Sequence, residues 1–233
     1  MDAGGRAGAL YAPGILRMGL ERLGRFTLRW DEDCFPLGQD SLFLAAFATL
    51  ARGHRVCDLG CGAGAILLAL LEREPSLQVT GVERCAGAAA WARRNLEENG
   101  CAGEIITYDI CRIPDRLPAG GFDLVVSNPP YFTAKSGRPG GTARMEETCD
   151  AAALCRGAGW LLKNGGRAAL CIRPERLAEW MGALRAWGME PKRLQLVQHN
   201  ERTPPSLALL EGVRQGRPGL AVLPTRILHK GDG

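Results

Sequence analysis

The sequence feature that most constrains the fold is a glycine-rich turn between a short apolar run and an apolar helix pattern. Residues 55–59 (Arg-Val-Cys-Asp-Leu) are typical of a buried strand, and Gly60-Cys-Gly-Ala-Gly64 follows them directly. The apolar segment 65–73 then has the length of a helix, which Pro75 ends. A strand, a tight turn and a helix in this order predict the first unit of an α/β protein with a parallel sheet.

The alternation of strand and helix patterns continues along the chain to about residue 190. Its members are predicted strands at 77–82, 104–108, 122–127 and 168–172, and predicted helices at 86–99, 144–162 and 174–187. Residues 194–198 and 207–210 are then predicted to form two strands joined by a hairpin-like loop. We therefore predict an α/β protein with a doubly wound, mainly parallel sheet that finishes with an antiparallel strand pair.

The residues before the glycine-rich turn predict a short extension. Residues 25–30 alternate apolar and polar side chains as a half-buried strand does. Asp40-Ser41 is predicted to cap an apolar helix that runs to about Ala51. We divide the chain into an N-terminal extension, residues 1–50, which forms part of a lid over substrate and cofactor, and a main domain, residues 51–233.

Composition is that of an ordinary soluble domain and excludes several classes of protein. The 233 residues are 46% hydrophobic and 23% charged, with a net charge of only +4. No apolar stretch is long enough to span a bilayer, and no cleavable signal pattern opens the chain. The nine cysteines form no Cys-x-x-Cys pair, and only three histidines are present to complete a metal site. We expect a cytoplasmic monomer with free thiols, no metal and no membrane partner.

Polar side chains mark the ends of the first four predicted strands of the main domain. These side chains are Asp58, Glu83, Asp109 and Asn128. Because the carboxyl ends of parallel strands meet at one edge of a sheet, where ligands bind in open α/β folds, we expect them to share one site. The set offers carboxylates for an amino group, for ribose hydroxyls and for an adenine amino group, and an amide at the reaction centre.

The loop Asn128-Pro129-Pro130-Tyr131 follows the fourth strand and is rich in hydrogen-bond acceptors. The two prolines remove two backbone N–H donors and stiffen the loop. The acceptors that remain are the Asn128 side-chain oxygen and the loop carbonyls, which suit a planar amino group. Tyr131 offers an aromatic face on which a base can stack.

The glycine pattern by itself leaves the ligand open. Gly60-x-Gly62-x-x-Ala65, with Glu83 after the next strand, also fits the dinucleotide fingerprint, so a nicotinamide or flavin enzyme remains an alternative on these residues. Asp58 favours a ligand with a cationic amino group, because a carboxylate at this position would repel a pyrophosphate. A nicotinamide-dependent oxidoreductase also leaves the loop that begins at Asn128 unexplained.

Taken together, the motifs resemble those of class I S-adenosylmethionine-dependent methyltransferases, in particular the Asn-Pro-Pro-Tyr group that methylates planar nitrogens. The segments that carry this resemblance are Asp58-Leu-Gly-Cys-Gly-Ala-Gly64, Glu83, Asp109 and Asn128-Pro-Pro-Tyr131. Further segments look similar to bacterial tRNA(Val) adenine-N6 methyltransferases, namely Phe26, Trp30, residues 35–41, Pro191-Lys-Arg-Leu and Arg217-Pro-Gly-Leu. The resemblance implies a seven-stranded Rossmann-like sheet and makes residues 51–233 the methyltransferase domain.

The resemblance also implies a reaction and a set of site residues. S-adenosylmethionine would be the methyl donor, S-adenosylhomocysteine the product, and the N6 of an adenine in RNA, in a tRNA near the anticodon, the acceptor. The implied cofactor contacts are Gln39, Asp58, Gly60, Gly62, Glu83, Asp109, Ile110 and Asn128. The implied catalytic loop is Asn128, Pro129, Pro130 and Tyr131, and the implied substrate contacts are Tyr131, Phe132, Lys135 and Arg138.

Rival functions remain open at this stage. Within the same chemistry, the acceptor can be the N2 of a guanine in ribosomal RNA or the side-chain amide of a protein glutamine, since both are planar amino groups. Outside it, the alternatives are the nicotinamide-dependent oxidoreductase and a catalytically inactive RNA-binding module on the same scaffold.

Overall fold

The structure, a computed structural model, describes residues 19–31, 34, 38–129 and 150–228. Strands and helices alternate in it from residue 55 onward, as the sequence predicts. In chain order the elements are β1 (Gly19–Leu23), β2 (Phe26–Trp30), α1 (Gln39–Phe47), β3 (Arg55–Leu59), α2 (Ala65–Arg73), β4 (Gln78–Glu83), α3 (Ala86–Glu98), β5 (Gly103–Thr107), β6 (Phe122–Ser127), α4 (Ala151–Leu161), β7 (Leu162–Ile172), α5 (Leu177–Ala186), β8 (Met189–Gln198), β9 (Leu207–Arg214), β10 (Ala221–Val222) and β11 (Arg226–Ile227). Two short 3₁₀ helices lie at Ile110–Asp115 and Pro174–Arg176.

The main sheet has the strand order β10-β8-β9-β7-β6-β3-β4-β5, and β11 also pairs with β8. Strands β3 to β7 run parallel, whereas β9 is antiparallel to both β7 and β8. The predicted doubly wound, mainly parallel sheet with an antiparallel strand pair is therefore confirmed. The strand count differs from the expected seven, because β10 and β11 add two residues each along the outer edge of β8.

Both faces of the sheet are covered, which explains why its central strands carry apolar residues on both faces. Along β3, Val56 packs with α1, α2 and α3 on one face, and Cys57 packs with α4 and α5 on the other. Along β6, Leu124 and Val125 divide between the two faces in the same way. Alternate side chains of a strand point to opposite faces, so a strand between two helical layers needs apolar residues at every position.

The N-terminal elements differ in detail from the prediction. The strand predicted at residues 25–30 is confirmed as β2, which pairs with β1 in a separate antiparallel hairpin. The predicted Asp40-Ser41 cap is wrong, because α1 begins at Gln39 with Gly38 as its N-cap and has no side-chain cap. Buried residues of α1 belong to the same core as β3. The domain division at residues 1–50 and 51–233 stays a prediction.

The helix predicted at residues 144–162 is observed over its described part. Helix α4 begins at Ala151, and the side chain of its N-cap, Asp150, accepts a hydrogen bond of 2.7 Å from the Ala153 N–H. An aspartate at this position satisfies an N–H that has no partner within the helix. The start predicted at residue 144 lies outside the described residues.

Candidate functional site

The strand order β5-β4-β3-β6 brings the four predicted polar strand ends to one edge of the sheet. In register, Glu83 of β4 lies opposite Thr107 of β5, and Asp58 of β3 lies opposite Val126 of β6. Asp109 follows β5 and Asn128 follows β6 at the same edge. The strand order reverses between β3 and β6, and such a switch point is where open α/β sheets bind their ligands.

The glycine-rich turn between β3 and α2 is held by its own backbone and by β4. The N–H groups of Gly60 and Cys61 both donate to the carbonyl of Val82, at 2.8 and 3.1 Å, and the Gly64 N–H donates to the Cys61 carbonyl at 2.8 Å. These N–H groups are engaged within the protein. The turn is therefore a rigid shelf in which these three N–H groups are not available to a phosphate.

The N–H of Gly62 is also bound within the protein, and the Cα of Gly62 faces open space. Its N–H donates to Glu83 Oε2 at 3.0 Å, so a pyrophosphate at the turn would have to displace a carboxylate. Gly62 has a φ of 53°, in the left-handed region that favours glycine. A Cβ added to Gly62 would meet no described atom within 4 Å, whereas one on Gly60 would lie 3.7 Å from Ile110 Cδ1. A ligand can thus lie against the turn, beside Ile110.

Among the four residues at the carboxyl ends of the strands, Asp58 has the most unusual environment. It is fully buried, and neither carboxylate oxygen has a hydrogen-bond partner in the part of the chain that the structure describes. Burial, and next the negative charge of Glu83, raise the pKa of Asp58 well above its ordinary value. Buried polar groups normally have partners, because an unpaired one is costly. Asp58 therefore fits a ligand that brings a cationic donor.

Glu83 and Asp109 combine a structural contact with acceptor capacity that a ligand can use. Glu83 Oε1 accepts from the Cys85 N–H at 2.8 Å, so each Glu83 oxygen binds one backbone donor and keeps a second acceptor position. Asp109 Oδ1 accepts from the Cys111 N–H at 2.9 Å and caps the 3₁₀ helix that begins at Ile110. Both side chains are half-buried at the edge of the sheet.

Asn128 is tied to an element that the sequence analysis did not connect with it. Its Nδ2 donates to Ser41 Oγ of α1 at 3.2 Å. The neighbouring Ser127 is buried, and its hydroxyl donates to the Leu59 carbonyl at 2.7 Å. The end of β6 is thus joined both to the end of β3 and to α1. Ser41, predicted to cap α1, instead holds the Asn128 amide.

The remaining predicted site residues divide into two groups. Gln39 is exposed in the first turn of α1, two residues before Ser41, and Pro129 is buried directly after Asn128. The predicted residues that lie outside the described part of the chain are Pro130, Tyr131, Phe132, Lys135 and Arg138. Their roles stay predictions.

No group of three or more His, Cys, Asp or Glu side chains in residues 19–31, 34, 38–129 and 150–228 is arranged to hold a metal ion. No helix of the same residues is both long and apolar enough to span a membrane.

Comparison with known proteins matches the segment that contains these residues to a protein family. The family model of the methyltransferase small domain matches residues 38–179. The tRNA1(Val) (adenine(37)-N6)-methyltransferases of Yersinia pestis and Yersinia pseudotuberculosis are 36% identical to the chain over 121 residues, which are 51% of this chain and 48% of the relative. The chain thus spans about half the length of the curated relatives it matches.

Solved structures share the architecture over most of the chain. A predicted O-methyltransferase of Agrobacterium tumefaciens matches with a TM-score of 0.68 and 27% identity, over 82% of this chain and 89% of that one. TrmN of Thermus thermophilus matches with a TM-score of 0.55 and 25% identity, over 74% and 48%. The 16S rRNA N2 G1207 methyltransferase of T. thermophilus, solved with AdoMet and guanosine, shares the fold with a TM-score of 0.64 and 21% identity, over 87% and 51%.

Proposed function

Because the chain belongs to the methyltransferase small domain family and has the fold of class I S-adenosylmethionine-dependent methyltransferases, we propose that it is an RNA methyltransferase. The proposed reaction moves the methyl group of S-adenosylmethionine to the N6 of an adenine, in a tRNA near the anticodon. One observation carries the proposal: Asp58, buried and without a partner among the described residues, lies at the strand edge that also bears Asn128. The names of the Yersinia relatives supply the choice of base and of RNA.

The residues of the edge fit S-adenosylmethionine, which supplies a methyl group already activated on a sulfonium. Asp58 accepts from the ammonium of the methionine moiety, which gives its buried oxygens the hydrogen-bond partner that they lack among the described residues. Glu83 accepts from the ribose hydroxyls with the acceptor positions that its backbone donors leave. Ile110 packs beside the adenine, and Asp109 accepts from the adenine amino group. Gln39 closes the site from the first turn of α1.

Asn128 and Pro129 hold the acceptor nitrogen. An exocyclic adenine nitrogen is a poor nucleophile because its lone pair is delocalised into the ring. The Asn128 Oδ1 and the Pro129 carbonyl accept from the two N6 hydrogens and favour a pyramidal nitrogen as the methyl arrives. Ser41 and Ser127 support this geometry, since they hold the Asn128 amide and the end of β6. Positioning supplies most of the rate, and the surplus proton leaves to water.

The rest of the loop binds the RNA in this proposal. Tyr131 and Phe132 stack on the base, which is flipped out of its strand. Lys135 and Arg138 contact the phosphates on either side of it. These contacts come from the sequence motif and lie outside the described residues.

The geometry of the turn favours methyl transfer over the oxidoreductase alternative. A dinucleotide enzyme uses the N–H of its second glycine for the pyrophosphate, but the Gly62 N–H donates to Glu83. The unpartnered carboxylate of Asp58 lies in β3, directly before the turn, and would repel the same phosphates. The Asn128 loop accepts any planar amino group, so the acceptor has to be identified chemically.

The experiment that tests the function is incubation of the protein with total RNA and tritiated S-adenosylmethionine, followed by nucleoside analysis. Label in N6-methyladenosine from tRNA is expected. Label in N2-methylguanosine would move the acceptor to guanine, and label in protein alone would overturn the RNA assignment. The matched variant is Asn128→Ala, for which we expect turnover to fall on the order of 100-fold. Its affinity for S-adenosylhomocysteine should change only a few-fold, since the ribose and ammonium contacts remain.

A further inference from the structure

Asn95 of α3 and Asn99, the C-cap of this helix, bind the outer edge of β2 as a neighbouring strand would. Asn99 Oδ1 accepts from the Thr27 N–H at 2.8 Å, and Asn99 Nδ2 donates to the Thr27 carbonyl at 2.7 Å. Asn95 Oδ1 accepts from the Arg29 N–H at 3.0 Å, and Asn95 Nδ2 donates to the Arg29 carbonyl at 2.8 Å. The spacings agree, because four helical residues rise by about 6 Å and two strand residues by about 6.6 Å.

The two amides differ in their third hydrogen bond. Asn95 is fully buried, and its Nδ2 also donates to the carbonyl of Ala63, in the glycine-rich turn, at 2.8 Å. Asn99 Nδ2 instead donates to the Asn95 carbonyl of its own helix, at 2.7 Å. Asn95 therefore joins the hairpin to the turn, whereas Asn99 joins the hairpin to α3 alone.

The bond to Ala63 fixes one peptide plane of the turn from both sides. The Ala63 carbonyl accepts from Asn95, and the N–H of the same peptide, on Gly64, donates to the Cys61 carbonyl at 2.8 Å. Rotation of this peptide would break both hydrogen bonds. The peptide between Ala63 and Gly64 lies between Gly62, whose Cα faces open space, and the first turn of α2. Its orientation therefore sets the shape of the glycine-rich turn against which the cofactor would lie.

We propose that Asn95 is a positioning residue that couples the docking of hairpin β1–β2 to the shape of the glycine-rich turn, and through the turn to cofactor affinity. This inference rests on the proposed function, since the turn acts through the S-adenosylmethionine that it binds. Coupling between two equilibria is reciprocal: if a docked hairpin strengthens ligand binding, the ligand must strengthen hairpin docking to the same extent.

The other attachments of the hairpin keep it in place when Asn95 is replaced. Phe26 and Leu28 are buried in the core shared with α2 and α3. The ion pairs of Arg25 with Glu72 and of Arg29 with Glu98, both at 3.1 Å, are partly exposed to solvent and contribute little. Loss of one amide should therefore loosen the hairpin and release the turn without unfolding the protein.

The test compares Asn95→Leu with Asn99→Leu, which remove amides of the same size from the same helix face. Affinity for S-adenosylhomocysteine is measured by titration calorimetry. We expect Asn95→Leu to weaken binding about tenfold, the effect of one lost buried hydrogen bond, and Asn99→Leu to stay within about twofold of the parent. Equal affinities, or equal losses in both variants, would overturn the special role of Asn95.

A second measurement is made first on the parent protein, where its outcome does not depend on how well the variants fold, and then on both variants. Amide hydrogen exchange of β2 is followed with and without S-adenosylhomocysteine. We expect S-adenosylhomocysteine to slow amide exchange in β2 of the parent protein. The same slowing should be absent in Asn95→Leu and present in Asn99→Leu. Unchanged exchange in the parent would contradict the coupling. If the parent binds no S-adenosylhomocysteine at all, the proposed function fails. If it binds but the hairpin does not respond, only the role of Asn95 fails.

Discussion

Asp58 shows how a single residue can work against stability and for binding. Its carboxylate is fully buried without a hydrogen-bond partner among the described residues, and its pKa is raised by burial and by the charge of Glu83. The free protein therefore carries, near the carboxyl end of β3, a buried carboxyl group without a hydrogen-bond partner among the described residues. A ligand ammonium would satisfy this group, so part of the binding energy comes from removing an existing penalty.

We predict that Asp58→Asn stabilises the free protein at neutral pH and weakens its binding of S-adenosylhomocysteine about 10- to 100-fold. A raised pKa means that the folded state holds the proton more tightly, so the pH-dependent part of the cost of Asp58 is absent below the unfolded pKa of about 3.9. The cost grows as the pH rises toward the folded pKa, by about 1.4 kcal/mol for each pH unit, and is constant above it. Urea unfolding of both proteins between pH 4 and 8 measures the difference, which should grow with pH.

Asp123 at the opposite end of β6 provides the control, because its pKa is shifted the other way. Burial acts to raise the pKa of Asp123, but the Lys163 ammonium and the Arg55 N–H outweigh burial, and the pKa lies below its ordinary value. Asp123→Asn should therefore lower stability at neutral pH by up to about 1 kcal/mol and leave ligand affinity unchanged. A loss of affinity in this variant, or none in Asp58→Asn, would contradict the role given to Asp58.

The sequence indicated some of the residues that lie together at the carboxyl ends of the strands, and for a physical reason it did not indicate others. Asp58 and Asn128 were predictable, because each stands at the end of an apolar run and the ends of parallel strands meet. Ser41 was not, because its partner lies 87 residues further along the chain. Asn95 gave one weak signal, since helical spacing places it on the same face as the buried Ala92. No local pattern indicates which backbone such a buried amide binds.

At the scale of elements, a buried carboxylate holds α1 against the antiparallel strand pair. Glu211 of β9 is fully buried and accepts from the Thr49 N–H and hydroxyl, both at 3.0 Å, and from Arg167 at 2.7 Å. Arg193 of β8 also pairs with Glu211 and donates to the Phe47 carbonyl at 3.2 Å. This cluster anchors the C-terminal end of α1, and the other end of the helix presents Ser41.

We predict that Glu211→Gln lowers the free energy of unfolding by about 3 kcal/mol, because it leaves two arginines without a buried counter-charge. Urea unfolding at neutral pH measures the loss. The control is Glu179→Gln, which removes an exposed pair with Arg176 and should cost less than about 1 kcal/mol. Similar losses in the two variants would contradict the anchoring role of Glu211.

The sequence predicted which elements exist better than it predicted where they pair. Mainly apolar segments gave β3, β6 and α2 with their observed bounds, because burial on both faces of a sheet leaves consecutive apolar residues in a strand. Strands β10 and β11 are two residues each, and three of their four residues are exposed, so they leave no periodicity to detect. Their position depends on the free edge of β8, which is a property of the assembled sheet.

For the whole molecule, ligand binding should appear as a change in thermal stability that separates the two enzyme classes. At about 100 times its dissociation constant, a ligand adds about 2.7 kcal/mol to the free energy of unfolding. For a chain of this size that corresponds to a rise in Tm of roughly 5–10 °C. We predict this rise with S-adenosylhomocysteine and none with NAD, measured by scanning calorimetry. Stabilisation by NAD alone would favour the oxidoreductase.

The contact between Thr49 and Glu211 also has a consequence for the order in which the protein forms during synthesis. The two residues lie 162 positions apart, and Glu211 follows the whole parallel sheet in the chain. On the ribosome, strands β3 to β7 can assemble while the end of α1 still lacks Glu211, the acceptor for the Thr49 N–H and hydroxyl. Contacts between distant residues form slowly, and domains fold from the N-terminus only as far as their partners have emerged. The helix that holds Asn128, though made early, is therefore among the last parts to take its final position.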